Sequence, residues 1–174
     1  MSIYNEKYER PTHWEVIDTI KYVDGHTEVR NYFNTVVNNC SVLIACLISG
    51  ITSHKGISYW AIGSGESTWN NENLPSPDPR NGRLIKETYR KKIKPQDICF
   101  VNSDNKPVNT ITNKIQVSVT FSENEANGEL REFALFGGDA TSEPNSGIMI
   151  NHKIHSLIYK TDGMVLNRII RLSF

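Results

Sequence analysis

Three groupings in this sequence hold side chains of the types that do chemistry. Gly63-Ser64-Gly65 follows an apolar run, and glycine-rich turns let backbone N–H groups close on a phosphate. A nucleotide loop needs a further glycine, or Gly-Lys-Ser/Thr, leading into a helix. Here the chain enters a stretch from Glu66 to Gly82 that carries Pro75, Pro77 and Pro79, so the tripeptide reads as a tight turn leaving a strand. His152 and His155 lie three apart. In a strand that spacing sends them to opposite faces, which prevents joint chelation of one ion. Glu123, Glu125, Glu129 and Glu132 offer carboxylates in pairs, as used in glycoside hydrolysis or calcium binding. The first two sit in an Asn/Gly-rich turn without the spaced Asp/Asn ligands of a calcium loop, and the group reads as solvated turn charges.

The remaining reactive types assemble no catalytic set. Cys40, Cys46 and Cys99 are odd in number and lack CxxC spacing, which argues against a disulfide framework and a zinc site and for buried thiols. No Gly-x-Ser-x-Gly elbow is present. The chain is therefore read as a non-enzyme with no cofactor and no metal. Lysine plus arginine equals aspartate plus glutamate, 19 against 19, so no global field attracts nucleic acid or an anionic membrane, and a partner must be recognised by shape. Residues Met1 to Pro11 are not an apolar leader, and the longest apolar stretch, Val36 to Ile51, is too short to cross a bilayer. A soluble protein made in a cytoplasm is expected. Trp14, Trp60 and Trp69 could line a sugar-binding face. Trp60, within Ile57 to Ile62, reads as core, and Trp69, in the Asn- and Pro-rich stretch, reads as an interface residue.

The elements that must position these residues are mostly strands. Residues 14 to 23 are β-branched and aromatic, Asp24-Gly25 is a strong hairpin signal, and His26 to Arg30 resumes the run. From Asn31 to Ser49 apolar residues fall at three- and four-residue steps, which predicts a helix with Phe33, Val37, Ile44, Leu47 and Ile48 buried, Asn31 as cap and Gly50 as stop. Ile57 to Ile62 is a strand, Leu84 to Ile93 is helix or strand, and Ile98 to Val101 is a strand. Ile115, Val117, Val119 and Phe121 alternate with polar residues, and Leu130 to Phe136, after Asn127-Gly128, reads as a strand returning beside them. Ile148 to Lys160 and Met164 to Phe174 complete the set, the last with Arg168 as an exception on its apolar face. Seven to nine strands against one helix define a mainly β fold: an antiparallel sheet or sandwich with the helix packed on it. The predicted organisation is an N-terminal arm, 1–13, and one domain, 14–174, with a long loop from Glu66 to Gly82.

One resemblance follows from the order of these motifs. Trp14, Asp24-Gly25, Asn34-Thr35-Val36, Ala61-Ile62-Gly63-Ser64-Gly65, Leu84 with Arg90-Lys91, Glu125-Ala126-Asn127-Gly128, Leu130-Arg131-Glu132 and Leu135-Phe136 together resemble small tail-associated structural proteins of tailed bacteriophages, and pieces of contractile injection particles. The likeness spans Trp14 to Asn151 and rests on turns and β-core residues. Ala134 stands where that group often has glycine, and the loop from Glu66 to Gly82 is longer and richer in Asn. The resemblance implies a non-enzymatic virion subunit of a tail, baseplate or fibre attachment that binds other virion proteins and further copies of itself. The expected contacts are the arm and the loop, through Tyr4, Tyr8, Trp69, Asn70, Leu74, Pro75 and Pro77. The alternative is a receptor- or carbohydrate-binding module of a tail fibre, and only that reading brings in a host glycan.

Overall fold

The computed structural model describes residues 13–70 and 72–174. The expected arm thus falls outside the described residues except for His13, and Tyr4 and Tyr8 with it. Eleven strands and one α-helix are formed: β1 (His13–Lys21), β2 (Thr27–Val36), α1 (Asn39–Ile48), β3 (Lys55–Gly63), β4 (Glu87–Lys92), β5 (Ile98–Val101), β6 (Pro107–Val108), β7 (Lys114–Phe121), β8 (Gly128–Gly138), β9 (Ile148–Met149), β10 (Asn151–Lys160) and β11 (Val165–Ser173). All pairings are antiparallel, in the order β4-β3-β8-β10-β2-β1-β11-β7-β5-β6, with β9 also on β8. The fold is the mainly β architecture that the period-two runs predict.

The sheet bends so that its two ends approach. Tyr89 of β4 meets Phe121 of β7 edge-on, with ring centroids 6.1 Å apart. The main core fills the inside of the bend: Val16, Ile20, Val117, Phe121, Leu166 and Ile170 from one half meet Trp60, Phe133 and Leu135 from the other. A second cluster covers the outer face of β3 and β8, where Ala61, Ala134 and Phe136 lie beneath Val37, Leu84 and Met149. That cover explains why β8 is buried on both faces, and why its sequence lacks the alternation seen in β7.

Three expectations are corrected. The runs Ile115 to Phe121 and Leu130 to Phe136 are strands, but they are not a hairpin: β7 pairs with β5 and β11, and β8 with β3 and β10. The connection crosses from one half of the sheet to the other, held by a buried lysine and a half-buried ion pair. Lys160 Nζ donates to Ser122 O, Glu123 O and Asn127 Oδ1 at 2.8, 3.1 and 2.8 Å. Glu125 accepts from Lys91 Nζ at 2.5 Å, Tyr89 Oη at 3.1 Å and Ser122 N at 2.9 Å. Burial raises the pKa of Glu125, but Lys91 and the Ser122 and Tyr89 hydrogen bonds outweigh it and hold the carboxyl at about 2. Glu125 is therefore a structural staple, not a solvated turn charge.

The helix is shorter than predicted. Asn31 to Val36 belong to β2, where Phe33 and Thr35 point outward while Asn34 and Val36 are buried. The apolar spacing of this stretch fits both periods, and pairing with β1 from Thr27 to Thr35 decides for the strand. α1 buries Cys40 and Leu43, whereas Val42, Leu47 and Ile48 remain exposed. Gly50 ends it as expected, at φ +73°, with its N–H donating to Leu47 O at 3.2 Å. Leu84 to Ile93, left open between helix and strand, contains β4.

Candidate functional site

The site originates in a divergence of two strands. β10 begins beside β2, with Asn151 opposite Val36 and His152 opposite Thr35, and then leaves it for β8, where Lys153 lies opposite Phe133. β2 and β10 therefore splay apart from Lys153 onward. Arg30 bridges the gap from β2, donating from Nη1 to Ser156 O at 3.3 Å, and the wedge that remains is a cleft of about 170 Å³ lined by Arg30, Tyr32, Lys153 and His155 among others. Leu74 of the long loop closes one side of it.

A fully buried ion pair lies next to this wedge. Asp18 and Arg168 are inward residues directly opposite each other on β1 and β11. The guanidinium engages the carboxylate in two parallel bonds, Nε to Oδ1 at 2.6 Å and Nη2 to Oδ2 at 2.5 Å, and stacks 4.2 Å over the Phe133 ring. Tyr32 Oη donates to the same carboxylate. His155 Nδ1 donates to Ser156 O at 2.8 Å, and Nε2 accepts from Arg168 Nη2 at 3.2 Å, so the imidazole is neutral with its proton on Nδ1. Burial, reinforced by the Arg168 charge, pushes the His155 pKa down to about 3. Burial also raises the Tyr32 phenol, and the Asp18 carboxylate adds to it. These groups form a mutually neutralised cluster, with Arg168 Nη1 left without a hydrogen-bond partner among the described residues.

Lys153 is different. Its ammonium has no carboxylate partner among the described residues and lies 5.0 Å from the Tyr32 ring centroid. Partial burial lowers its pKa. The same lysine lines a second, larger groove of about 520 Å³ between the outer face of β2 and the loop. His13, Phe33, Thr35 and Asn38 form one wall, and Ser76, Pro77 and Pro79 form the other. Asn38 N donates to Pro79 O at 2.8 Å, which pins the loop at this end. Phe33 is 64% exposed, a large ring left open in the groove. A cation without a carboxylate partner among the described residues, beside an open aromatic, suits a ligand that pairs an acidic group with an apolar one.

The structure separates the loop residues singled out in the sequence. Leu74 and Pro77 line the two clefts. Trp69 is half-buried and covers Gly65, where a Cβ would lie 2.2 Å from its ring. Asn70 is exposed and caps its own turn, accepting from Asn73 N at 2.7 Å, and Pro75 is exposed outside both clefts. Gly63 still belongs to β3 and Gly65, at φ +57°, lies just beyond it; the turn expected at Gly63-Ser64-Gly65 comes later, where Trp69 N donates to Glu66 O at 3.2 Å.

The other carboxylates and histidines are placed as structure. Glu132 is fully buried, not a solvated charge: it accepts from Ile85 N and Lys86 N at 3.1 and 2.8 Å and bonds His152 Nε2 at 2.9 Å. Glu129 pairs with Arg131 at 2.5 Å at the surface. Cys40 is buried, and Cys46 and Cys99 are half-buried free thiols. Phe33, Lys153 and the Arg168 cluster were not identified as site residues from sequence. The one signal available was Arg168 in an otherwise apolar register. Comparison with protein-family models, with curated proteins and with solved structures finds no match.

Proposed function

We propose that this chain is a structural subunit of a tailed-phage-like particle, in the tail, baseplate or fibre attachment, and that it acts by protein–protein docking and not by catalysis. The observation that carries the docking half is the groove between β2 and the loop, where Lys153, without a carboxylate partner among the described residues, stands beside an exposed Phe33. The resemblance of the turn and core motifs supplies the particle. Binding is favoured over catalysis because the inward carboxylates are already committed: Asp18 to Arg168, Glu132 to backbone N–H groups and His152, and Glu125 to Lys91. A carboxyl held at about 2, like that of Glu125, is neither a proton donor nor an effective base near neutrality.

The fitting partner is an extended segment of another particle protein, or of a second copy, that carries an acidic side chain next to an apolar one. Phe33→Asp and Lys153→Glu, made separately and together, alter the groove surface without touching the core. Both proteins should fold with an unchanged circular dichroism spectrum and lose incorporation into particles. Normal incorporation of the double variant would refute the docking site.

A second reading, glycan binding at a fibre tip, is favoured by one observation. Phe33 offers an open aromatic face flanked by Thr35, Asn38 and His13. A glycan array that lights up and goes dark with Phe33→Ala would select it. The assembly reading predicts silence there and in a cell-wall turnover assay.

A further inference from the structure

Given the docking reading above, on which this rests, we infer that the wedge between β2 and β10 receives a single carboxylate, that of an acidic side chain on the docked segment. The wedge measures about 170 Å³, below the roughly 300–1,000 Å³ of a site for a free small molecule. It therefore takes a side-chain group and not a whole ligand. Lys153 lines both this wedge and the larger groove, so the two spaces meet at its side chain. A segment lying along Phe33 and Pro77 reaches Lys153 at that junction and can turn one side chain into the wedge. Leu74, half-buried, closes one flank, and a charge contact on a partly enclosed wall is stronger than one in open water.

The charges around the wedge name its occupant. Arg30 is matched by Glu28, which accepts from Nε at 2.7 Å and from Nη2 at 3.4 Å, and its Nη1 is spent on the carbonyls of Ser156 and Leu157. His155 is neutral, Tyr32 donates its phenol proton to Asp18, and behind them Asp18 and Arg168 cancel. Lys153 is the charge left over: its Nζ makes no hydrogen bond or ion pair among the described residues, and burial is what shifts its pKa, downward. A carboxylate beside it would restore the charged form. Ser156, on the same lining, has a hydroxyl without a hydrogen bond among the described residues. Arg168 Nη1 is a further N–H without a partner there, on the guanidinium that meets Tyr32 Oη and His155 Nε2. Spare donors and one uncompensated cation call for a monoanion. A dianion would leave one negative charge over in a half-enclosed space, which is costly.

The test titrates the isotopically labelled full chain with propionate, which carries the end of a glutamate side chain, and with sulfate as the dianionic probe, both at constant ionic strength. NMR reads the backbone amides of Arg30, Tyr32 and residues 153–157, and the same spectra report whether each variant is folded. Propionate should shift these amides along a saturating curve and bind more tightly than sulfate. Lys153→Gln should weaken propionate by about tenfold or more, as loss of a hydrogen bond to a charged group does. Lys153→Arg should keep the binding, and Phe33→Ala, which lies in the groove and not in the wedge, should leave it unchanged. No saturable shift, or equal affinity in Lys153→Gln, would overturn the site, and tighter sulfate binding would give the wedge to a phosphate-like group instead. The two readings fail separately. Propionate silence beside a Phe33→Asp protein that still loses incorporation into particles removes the wedge and leaves the docking groove, whereas propionate binding beside normal incorporation removes the groove and keeps the wedge as a carboxylate site.

Discussion

Replacing Asp18 by Asn removes one charge and keeps the shape, and the structure sets what should follow. The Arg168 guanidinium has no exposed surface and meets Asp18 through bonds of 2.6 and 2.5 Å. Its other partners are neutral: Tyr32 Oη at 3.3 Å, His155 Nε2 at 3.2 Å and the face of Phe133. With the carboxylate gone, a buried cation is left uncompensated, and such losses destabilise by about 3–5 kcal/mol. A domain of this size has about 5–15 kcal/mol in total, so Asp18→Asn should consume a large share of it. The double change Asp18→Leu with Arg168→Met replaces both ions by apolar side chains and should recover most of the loss. Urea unfolding followed by tryptophan fluorescence gives the three stabilities, compared at a common slope. A loss below about 1 kcal/mol in Asp18→Asn, or a double variant no more stable than the single one, would refute the reading of this pair as mutually neutralising buried ions.

Three further outcomes are expected. His155 titrates at about 3 in the fold against an ordinary value of 6.5, so between those values the unfolded chain binds a proton that the folded one does not. Stability should fall as pH drops through that window, by about 2 kcal/mol at pH 5, and His155→Gln should flatten the slope measured by urea unfolding at several pH values; an unchanged slope would assign it to other groups. Phe121→Ala empties a fully buried position that meets Tyr89 across the bend and should cost about 3–5 kcal/mol in the same assay. Gly65→Ala adds left-handed strain at φ +57° and a methyl inside the Trp69 ring, so the Trp69 emission should shift to the red as the indole is displaced, while the core tryptophans Trp14 and Trp60 stay unchanged.

Local signals placed the strands but did not say which strands meet. Asp24-Gly25 joins two strands that pair, whereas Asn127-Gly128 and Asp162-Gly163 join strands that do not. All three look alike in sequence, because a glycine with positive φ serves a crossover as well as a hairpin, and Gly25, Gly128 and Gly163 all have it. The helix was legible in its second half, where Leu43 and Cys40 pack and Gly50 stops it, and misread in its first half, where Phe33 suited either period. Lys153 was invisible for a deeper reason: what marks it is the lack of a carboxylate partner among the described residues, and that is a property of the assembled fold. The charged exceptions in apolar registers held unused information. An ion at a covered position needs either a counter-ion, which an adjoining strand can supply, or a set of hydrogen-bond partners such as those of Lys160, since an unpaired buried charge is far more costly than a lost contact. Asp18 interrupts Val16 and Ile20 on β1, and Arg168 interrupts Leu166 and Ile170 on β11; matching the two would have made those strands neighbours, which they are, with these residues in direct register. Glu132 on β8 likewise finds a buried hydrogen-bond partner on a neighbouring strand, His152 on β10, on a diagonal, since Glu132 lies opposite Ile154. Buried charges thus constrain strand pairing across long sequence separations, where turn residues and hydrophobic periodicity have nothing to say.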